Sequence, residues 1–474
     1  MRNKYKALAG NTIIFAIGSF GSRLISFFLV PLYTNILTTA EYGISDLVTT
    51  CANLIVPIFS LTIQDAVLRF GLSKAYRRES VIKNAWVVFL LGALASLSII
   101  PALQLYEPLK EWRYYLYAIS LVTMASNIMF AYAKAKEKSR LYALGGVINT
   151  VVLALANILF LLVFRMGVRG YLLANILGHA AAVLFLFFFT KAYEDIKGEK
   201  TDKLLMREMI AYAAPLIINS ISWWILNSSD RIMVEYYCSA SSLGLYTAAS
   251  KVPALLSIVV TIFSQAWTVS AIKDYDSEKD KTFYANIFRI FCFVMFVGGA
   301  IVILITKAFM KIYVGDSFFE AWNLVPLLVV GAVYYAFSSF FGAIYGALKK
   351  NIRVGLTTLV AAIINIGINF WLLPKIGVLA AAVSTAMGYF VIGVYRMLDS
   401  QRLFRFQINY IKYGINSVIL IAQAVLVSLN IHIYLVSAAA LGTMLIVNSK
   451  DIAVLARWCR GLFRRLLHKN KEGK

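Results

Sequence analysis

Residues 12–70 read TIIFAIGSFGSRLISFFLVPLYTNILTTAEYGISDLVTTCANLIVPIFSLTIQDAVLRF, and this stretch decides the fold. It consists of two apolar runs, 12–37 and 44–70, joined by the small polar turn 38–43. About 20 apolar residues carry a helix across a bilayer, and each run is longer than that. One ionised side chain, Arg23, sits midway along the first run; Asp46 lies near one end of the second, and Asp65 and Arg69 near the other. A charge at mid-helix costs about 2.5–3.5 kcal/mol on insertion scales, so such residues face a bundle interior or a wet cavity. Asp46 and Arg69 are close enough to helix ends to snorkel, whereas Arg23 is too deep for that to be easy and is read as a cavity residue, with a structural ion pair as the alternative. Asp65 and Arg69, four apart on one helix face, are spaced for an internal ion pair.

Composition extends this reading to the whole chain. Sixty per cent apolar residues over 474, with a mean hydropathy of +0.75, describe a polytopic membrane protein. Apolar runs give about fourteen spans: 12–37, 44–70, 84–104, 112–133, 142–164, 170–190, 209–235, 243–271, 283–305, 322–348, 353–373, 377–395, 411–429 and 432–448. The first follows basic residues as a secretory signal would, but it is too long and ends in no small-residue cleavage pattern, so it stays a span. The connections are short; the longest expected outside is 306–321, which leaves no room for a soluble catalytic domain. Cys51, Cys238, Cys292 and Cys459 show no disulfide or metal-site spacing.

The formal charge of +23 is a topology signal. With the N-terminus inside, the cytoplasmic segments hold 34 of the 46 Lys and Arg and the outer segments seven. That bias satisfies the positive-inside rule, places both termini in the cytoplasm and removes nucleic acid as the reason for the charge. Arg23, Arg69, Arg231, Lys251 and Arg289 remain inside spans.

The chain also repeats. Thr38-Thr39-Ala40-Glu41-Tyr42-Gly43 stands 201 residues before Ser239-Ala240-Ser241-Ser242-Leu243-Gly244, and the same offset takes Gln64 to Gln265. Gly167-Val168 pairs with Gly377-Val378 at offset 210. An offset near 200 contains six spans, an even number, so both copies enter from the same side: a parallel repeat with its axis along the membrane normal. The expected fold is therefore all-α, with two six-helix lobes at 1–207 and 208–408, two extra spans at 409–449 and a basic tail at 450–474. Pro31, Pro57, Pro215 and Pro253 fall one in each helix of the two leading hairpins, where they kink the helices. In the tail, Ile452, Leu455, Trp458, Leu462 and Leu466 oppose Arg457, Arg460, Arg464 and Arg465, as on a helix lying on an anionic leaflet.

Chemistry is scarce. There is no GxxxxGK[ST] loop and no metal-ligand cluster, so no enzyme activity and no cofactor are expected. His179 sits among small residues as a helix-packing donor. What remains is charge in the membrane. Asp230, Arg231 and Glu235 lie near the outer end of span 7, with Lys251 nine residues into span 8, where it could bridge to Asp230; Arg289 lies seven residues into span 9. At offset 201 Arg23 falls on Trp224, and Lys251 on Thr50. The scaffold repeats and these charges do not, which makes Arg23 and Lys251 candidates for substrate handling. Arg289, which could also snorkel to the cytoplasmic side, joins them as a candidate substrate-binding cation, and Asp46, Asp65, Arg69 and Asp230 are candidate ion-pair or gating residues.

Gly21-Ser22-Arg23, Pro31-Leu32-Tyr33, Glu41-Tyr42-Gly43-Ile44, Gln64-Asp65-Ala66-Val67-Leu68-Arg69-Phe70 and the two Gly-Val turns resemble the polysaccharide-transporter flippases of the MOP superfamily. The resemblance covers nearly the whole chain. It implies two lobes around a cationic cavity, alternating access, and export of undecaprenyl-pyrophosphate-linked oligosaccharide across a bacterial inner membrane. It also implies that Arg23 grips the pyrophosphate and that spans 13 and 14 shelter the polyprenyl chain. With no ATP site in the chain, an ion gradient (H+ or Na+) or the membrane potential would drive transport, and the tail would bind anionic lipid. The main rival is a multidrug exporter of the sister MATE family, for which twelve spans and acidic cavity residues suffice. A membrane polymerase or ligase would need a larger outer loop, and a non-transporting scaffold would not need the buried charge.

Overall fold

The computed structural model describes Ile25, residues 27–277, 280–348 and 350–449, and Asp451. Arg23 and the amphipathic stretch of the tail lie outside the described residues. Among those described there is no strand. Twelve helices are long and apolar enough to cross a membrane, and two shorter apolar ones, Phe27–Ile36 and Ile433–Val447, complete the expected fourteen. The described chain forms two compact units.

The first unit comprises residues up to Ala248 together with Tyr313–Phe318 and Leu373–Val378. Its helices are α1 (Phe27–Ile36), α2 (Thr39–Phe59), α3 (Ile63–Gly71), α4 (Arg78–Ser96), α5 (Arg113–Ala135), α6 (Ser139–Asn157), α7 (Gly167–Phe189), α8 (Ala192–Lys197), α9 (Lys203–Ala213), α10 (Leu216–Tyr237) and the start of α11 (Ala240–Ser277). The repeat is visible in their ends. Thr38 caps α2 in a capping box with Glu41, and Ser239 caps α11 by accepting from the Ser242 amide at 3.1 Å. Both caps precede helix starts 201 residues apart, at Thr39 and Ala240. Gly167 and Gly377 both take left-handed φ, at 55° and 62°, a region open to glycine without a Cβ penalty.

The expected span 44–70 is two helices. α2 starts earlier, at Thr39, and stops at Phe59; Leu61 and Thr62 then turn through left-handed φ of 50° and 48° before α3 begins. Such a turn survives in a membrane because its polar groups are satisfied inside the protein. The Thr62 amide donates to Ser60 Oγ at 3.2 Å, and Thr62 Oγ1 donates to the Ala213 carbonyl at 2.7 Å. Ala213 ends α9, where Pro215 interrupts span 7 and the Ile217 amide turns to Ala214 instead. Two helix breaks therefore meet at one hydrogen bond. In α3 the expected Asp65–Arg69 pair is not among the described ion pairs; Asp65 instead feels the charge of Lys134 on α5. A core of Ile63, Val67, Ile82, Met129, Leu186 and Met209 binds α3, α4, α5, α7 and α9 at this end.

The second unit comprises Ala249–Ile312, Phe319–Leu372 and the residues from Leu379 onward. It holds the rest of α11, α12 (Lys281–Tyr313), α13 (Val325–Ala347), α14 (Asn351–Ile376), α15 (Leu379–Leu403), α16 (Tyr410–Ser428) and α17 (Ile433–Val447). α13 is its axis, packed against α15 and α16. Trp267 stacks on Phe340 at 4.5 Å and donates Nε1 to the Phe340 carbonyl. Arg396, counted from the sequence as a cytoplasmic loop cation, is instead 2% exposed within α15. Its guanidinium donates to Thr357 Oγ1, Thr358 Oγ1 and the Ser338 and Val354 carbonyls at 2.9–3.1 Å, tying α13, α14 and α15 together.

Spans 13 and 14 are α16 and α17, separated by left-handed Asn430 and His432. They are fixed to α12 at three levels. Lys307 donates to Asn430 Oδ1 at 3.1 Å, Gln423 donates to the Ala300 carbonyl at 3.0 Å, and Arg289 meets Asp451 at 3.3 Å. Lys412 of α16 shares Asp451.

Candidate functional site

On α2, Thr39, Gly43, Asp46 and Thr50 are spaced four, three and four apart, which puts them on one helix face. On α11 the same spacing gives Ala240, Gly244, Thr247 and Lys251, each 201 residues later. These two faces meet. A Cβ on Gly43 would lie 2.0 Å from the Ala240 carbonyl oxygen, and one on Gly244 would lie 1.9 Å from that of Thr39. Residue 43 thus touches the mate of 39, and the mate of 43 touches 39. That reciprocity marks an isologous contact about a two-fold axis. The absence of side chains lets the backbones approach this closely. Thr39 and Ser241 hydroxyls lie 2.5 Å apart beside it.

The charges sit one turn further along. Asp46 Oδ2 accepts from Thr247 Oγ1 at 3.1 Å, a bond between repeat-equivalent positions, and from Arg231 Nε at 2.6 Å. Arg231 Nη1 donates to the Asn227 carbonyl at 2.9 Å and lies 3.7 Å from Asp230 Oδ1. Tyr246 donates to Asp230. Trp224, two turns before Arg231 on α10, donates Nε1 to the Thr50 carbonyl at 3.0 Å. Side-chain exposure is 10% at Asp46, 15% at Arg231 and 3% at Asp230, so the group is mostly withdrawn from its surroundings, and Asp230 Oδ1 is buried without a hydrogen bond among the described residues. A buried ion pair adds little net stability, but it is costly to break one-sidedly, which suits it to hold one arrangement of helices rather than to strengthen the fold.

Further contacts close the same end of the unit. Tyr106, in the segment between α4 and α5, donates to Glu235; burial, and next that carboxylate, push its phenol well above the usual range, so it stays a donor. The segment Tyr313–Phe318 lies across α1. The Tyr313 hydroxyl donates to the Phe27 carbonyl at 2.9 Å, the Gly315 amide donates to Thr34 Oγ1 at 3.1 Å, and Phe318 packs on Tyr42.

Of the residues singled out in the sequence, Asp46 and Asp230 come together here. Lys251 is one turn beyond Thr247 on the same face of α11. Asp65 and Arg69 lie on α3, on the far side of the break, and Arg289 is engaged with Asp451. Asp46 does not snorkel; its partner is Arg231, to which sequence reasoning gave no role. The 4-3-4 spacing repeated at offset 201 was the available signal. Among the described residues no group of His, Cys, Asp or Glu is arranged to hold a metal ion.

Solved structures share this fold. The lipid II flippase MurJ in an inward closed conformation superposes with a TM-score of 0.69 at 14% identity, covering 93% of this chain and 100% of that one. An inward-facing multidrug resistance transporter of the MATE family, in the MOP superfamily, gives 0.64 at 14% identity, covering 81% and 98%. Among curated relatives, Lsg locus putative protein 1 of Haemophilus influenzae is 21% identical over 261 residues, 54% of this chain and 64% of that protein. An uncharacterized membrane protein of Methanocaldococcus jannaschii is 21% identical over 322 residues, 64% of this chain and 62% of that one. The chain thus spans just under two thirds of the length of each of these relatives. The profile of the family described as "Polysaccharide biosynthesis protein" matches residues 8–268, more than half of the chain, and the chain belongs to that family.

Proposed function

We propose that this protein is a flippase that carries polyprenyl-pyrophosphate-linked oligosaccharide repeat units from the cytoplasmic to the outer leaflet of a bacterial inner membrane. One observation carries the reading: a member of the polysaccharide biosynthesis protein family has the fold of a lipid flippase over 93% of its length. The MATE likeness covers 81–84% of the chain, as suits a fold of twelve spans.

The mechanism is alternating access by the repeat halves 1–207 and 208–408. With both termini in the cytoplasm, the turns at 38–43 and 238–241 face outward, and the Gly43–Gly244 contact with the Asp46–Arg231 group closes the outer side. The headgroup enters from the cytoplasm, where Arg23 and Lys251 neutralise its phosphates. Guanidinium suits that task because its planar fork stays charged and matches phosphate oxygens. The polyprenyl chain stays in lipid along spans 13 and 14, and a proton or sodium gradient drives the cycle.

Deletion of the gene, followed by analysis of lipid-linked intermediates, tests the reading. Completed repeat units should accumulate on the cytoplasmic leaflet, and Arg23→Ala should reproduce that accumulation while the protein still inserts. Normal surface polysaccharide in the deletion strain, or drug resistance on overexpression as its only phenotype, would favour the MATE-type exporter.

A further inference from the structure

Arg231 is held, but its fork is only half used. Nε donates to Asp46 and Nη1 to the Asn227 carbonyl; Nη2 makes no hydrogen bond among the described residues. The Nε–Nη2 edge of a guanidinium is one that a bidentate oxyanion fills with two oxygens. Here one oxygen, Asp46 Oδ2, occupies it, and that oxygen also accepts from Thr247. At 15%, the Arg231 side chain is the most exposed of the three charged groups here. The bond it makes to Asp46 joins α10 to α2, beside the glycine contact between α2 and α11.

Resting on the flippase reading above, we propose that Arg231 is a phosphate-sensing residue that unlocks the outer side when the carrier is loaded. A pyrophosphate diester carries more negative charge than one carboxylate and offers two oxygens to the Nε–Nη2 edge. It displaces Asp46 from that edge; Asp46 keeps the Thr247 hydroxyl as a hydrogen-bond donor but loses its cation, a cost that only a more highly charged ligand offsets. With the α2–α10 bond gone, the closure rests on the glycine contact, which has no charge to hold it. An empty carrier stays shut outward and a loaded one is released. That ordering prevents futile cycling and leak.

The test uses the full-length protein in lipid nanodiscs, with its four cysteines replaced and Thr39→Cys and Ser241→Cys introduced as a closure reporter. Undecaprenyl pyrophosphate should slow disulfide formation on the order of tenfold, the usual size of coupling between two sites, and undecaprenol should not. Inorganic pyrophosphate separates a free anion from a lipid headgroup as the trigger, and a response to either supports the role of Arg231 if Arg231→Gln abolishes it. Asp46→Asn, which weakens the lock without removing the guanidinium, should slow cross-linking before any lipid is added. Probe concentrations are set to saturate each variant in a separate binding assay. An Arg231→Gln protein that responds like its parent, or a parent that binds the pyrophosphate lipid with no change in cross-linking, overturns the sensor while leaving the flippase reading intact. A parent that does not bind the pyrophosphate lipid overturns both.

Discussion

Gly244 places the strictest demand of any residue in the closure. A methyl group there would stand 1.9 Å from the Thr39 carbonyl oxygen, far inside van der Waals contact, and neither backbone can retreat without separating α2 from α11. Gly244→Ala should therefore insert normally, lose export, and slow the Thr39–Ser241 cross-link even with no ligand present. Arg396 makes the opposite case. Replacing it with Met removes four hydrogen bonds from a charged donor, each worth about 1.5–3 kcal/mol, so Arg396→Met should melt lower in detergent than the parent. Neither residue could be weighed from the sequence. Arg396 follows the expected span end at 395, and the hydroxyls and carbonyls that receive it lie 38–58 residues away. Asp46 looked like a snorkelling carboxylate because its partner, Arg231, is 185 residues distant.

At the scale of elements the sequence was more informative. Apolar runs located the spans because a helix crossing lipid must satisfy its own backbone and show an apolar surface. The offset of 201 proved to be the spacing of two helix starts and two caps. The break at 60–62 was not legible, because it depends on Thr62 finding the Ala213 carbonyl across the unit. Spans 13 and 14 give a prediction at this scale. Because α16 and α17 are pinned to α12 near both ends and in the middle, the three helices should move as one body. Lys307→Cys and Asn430→Cys, joined by a short bis-thiol reagent, should cross-link at the same rate with and without undecaprenyl pyrophosphate. A change in that rate would show that the appended spans move independently.

For the whole molecule, charge distribution sets orientation. Asp316 is exposed in an expected outer segment, and Lys200 is exposed in the expected cytoplasmic linker. In whole cells an impermeant maleimide should label Asp316→Cys directly and Lys200→Cys only after permeabilisation, in a background lacking the native cysteines. The reverse pattern would invert every assignment of inner and outer made above. Family and fold were within reach of the sequence because they are written in periodicity and local motifs. The pairing of Asp46 with Arg231 was not, because it is a tertiary event between repeat copies.

The lengths of α11 and α12 have a mechanical consequence. At about 1.5 Å per residue, helices of 38 and 33 residues run to about 57 and 50 Å, against a hydrocarbon core of about 30 Å. Neither can stand upright without extending well past the lipid, so each tilts or carries a projecting stub, and α11 has Pro253 inside it. A small swing at the membrane midplane is then magnified at the tips.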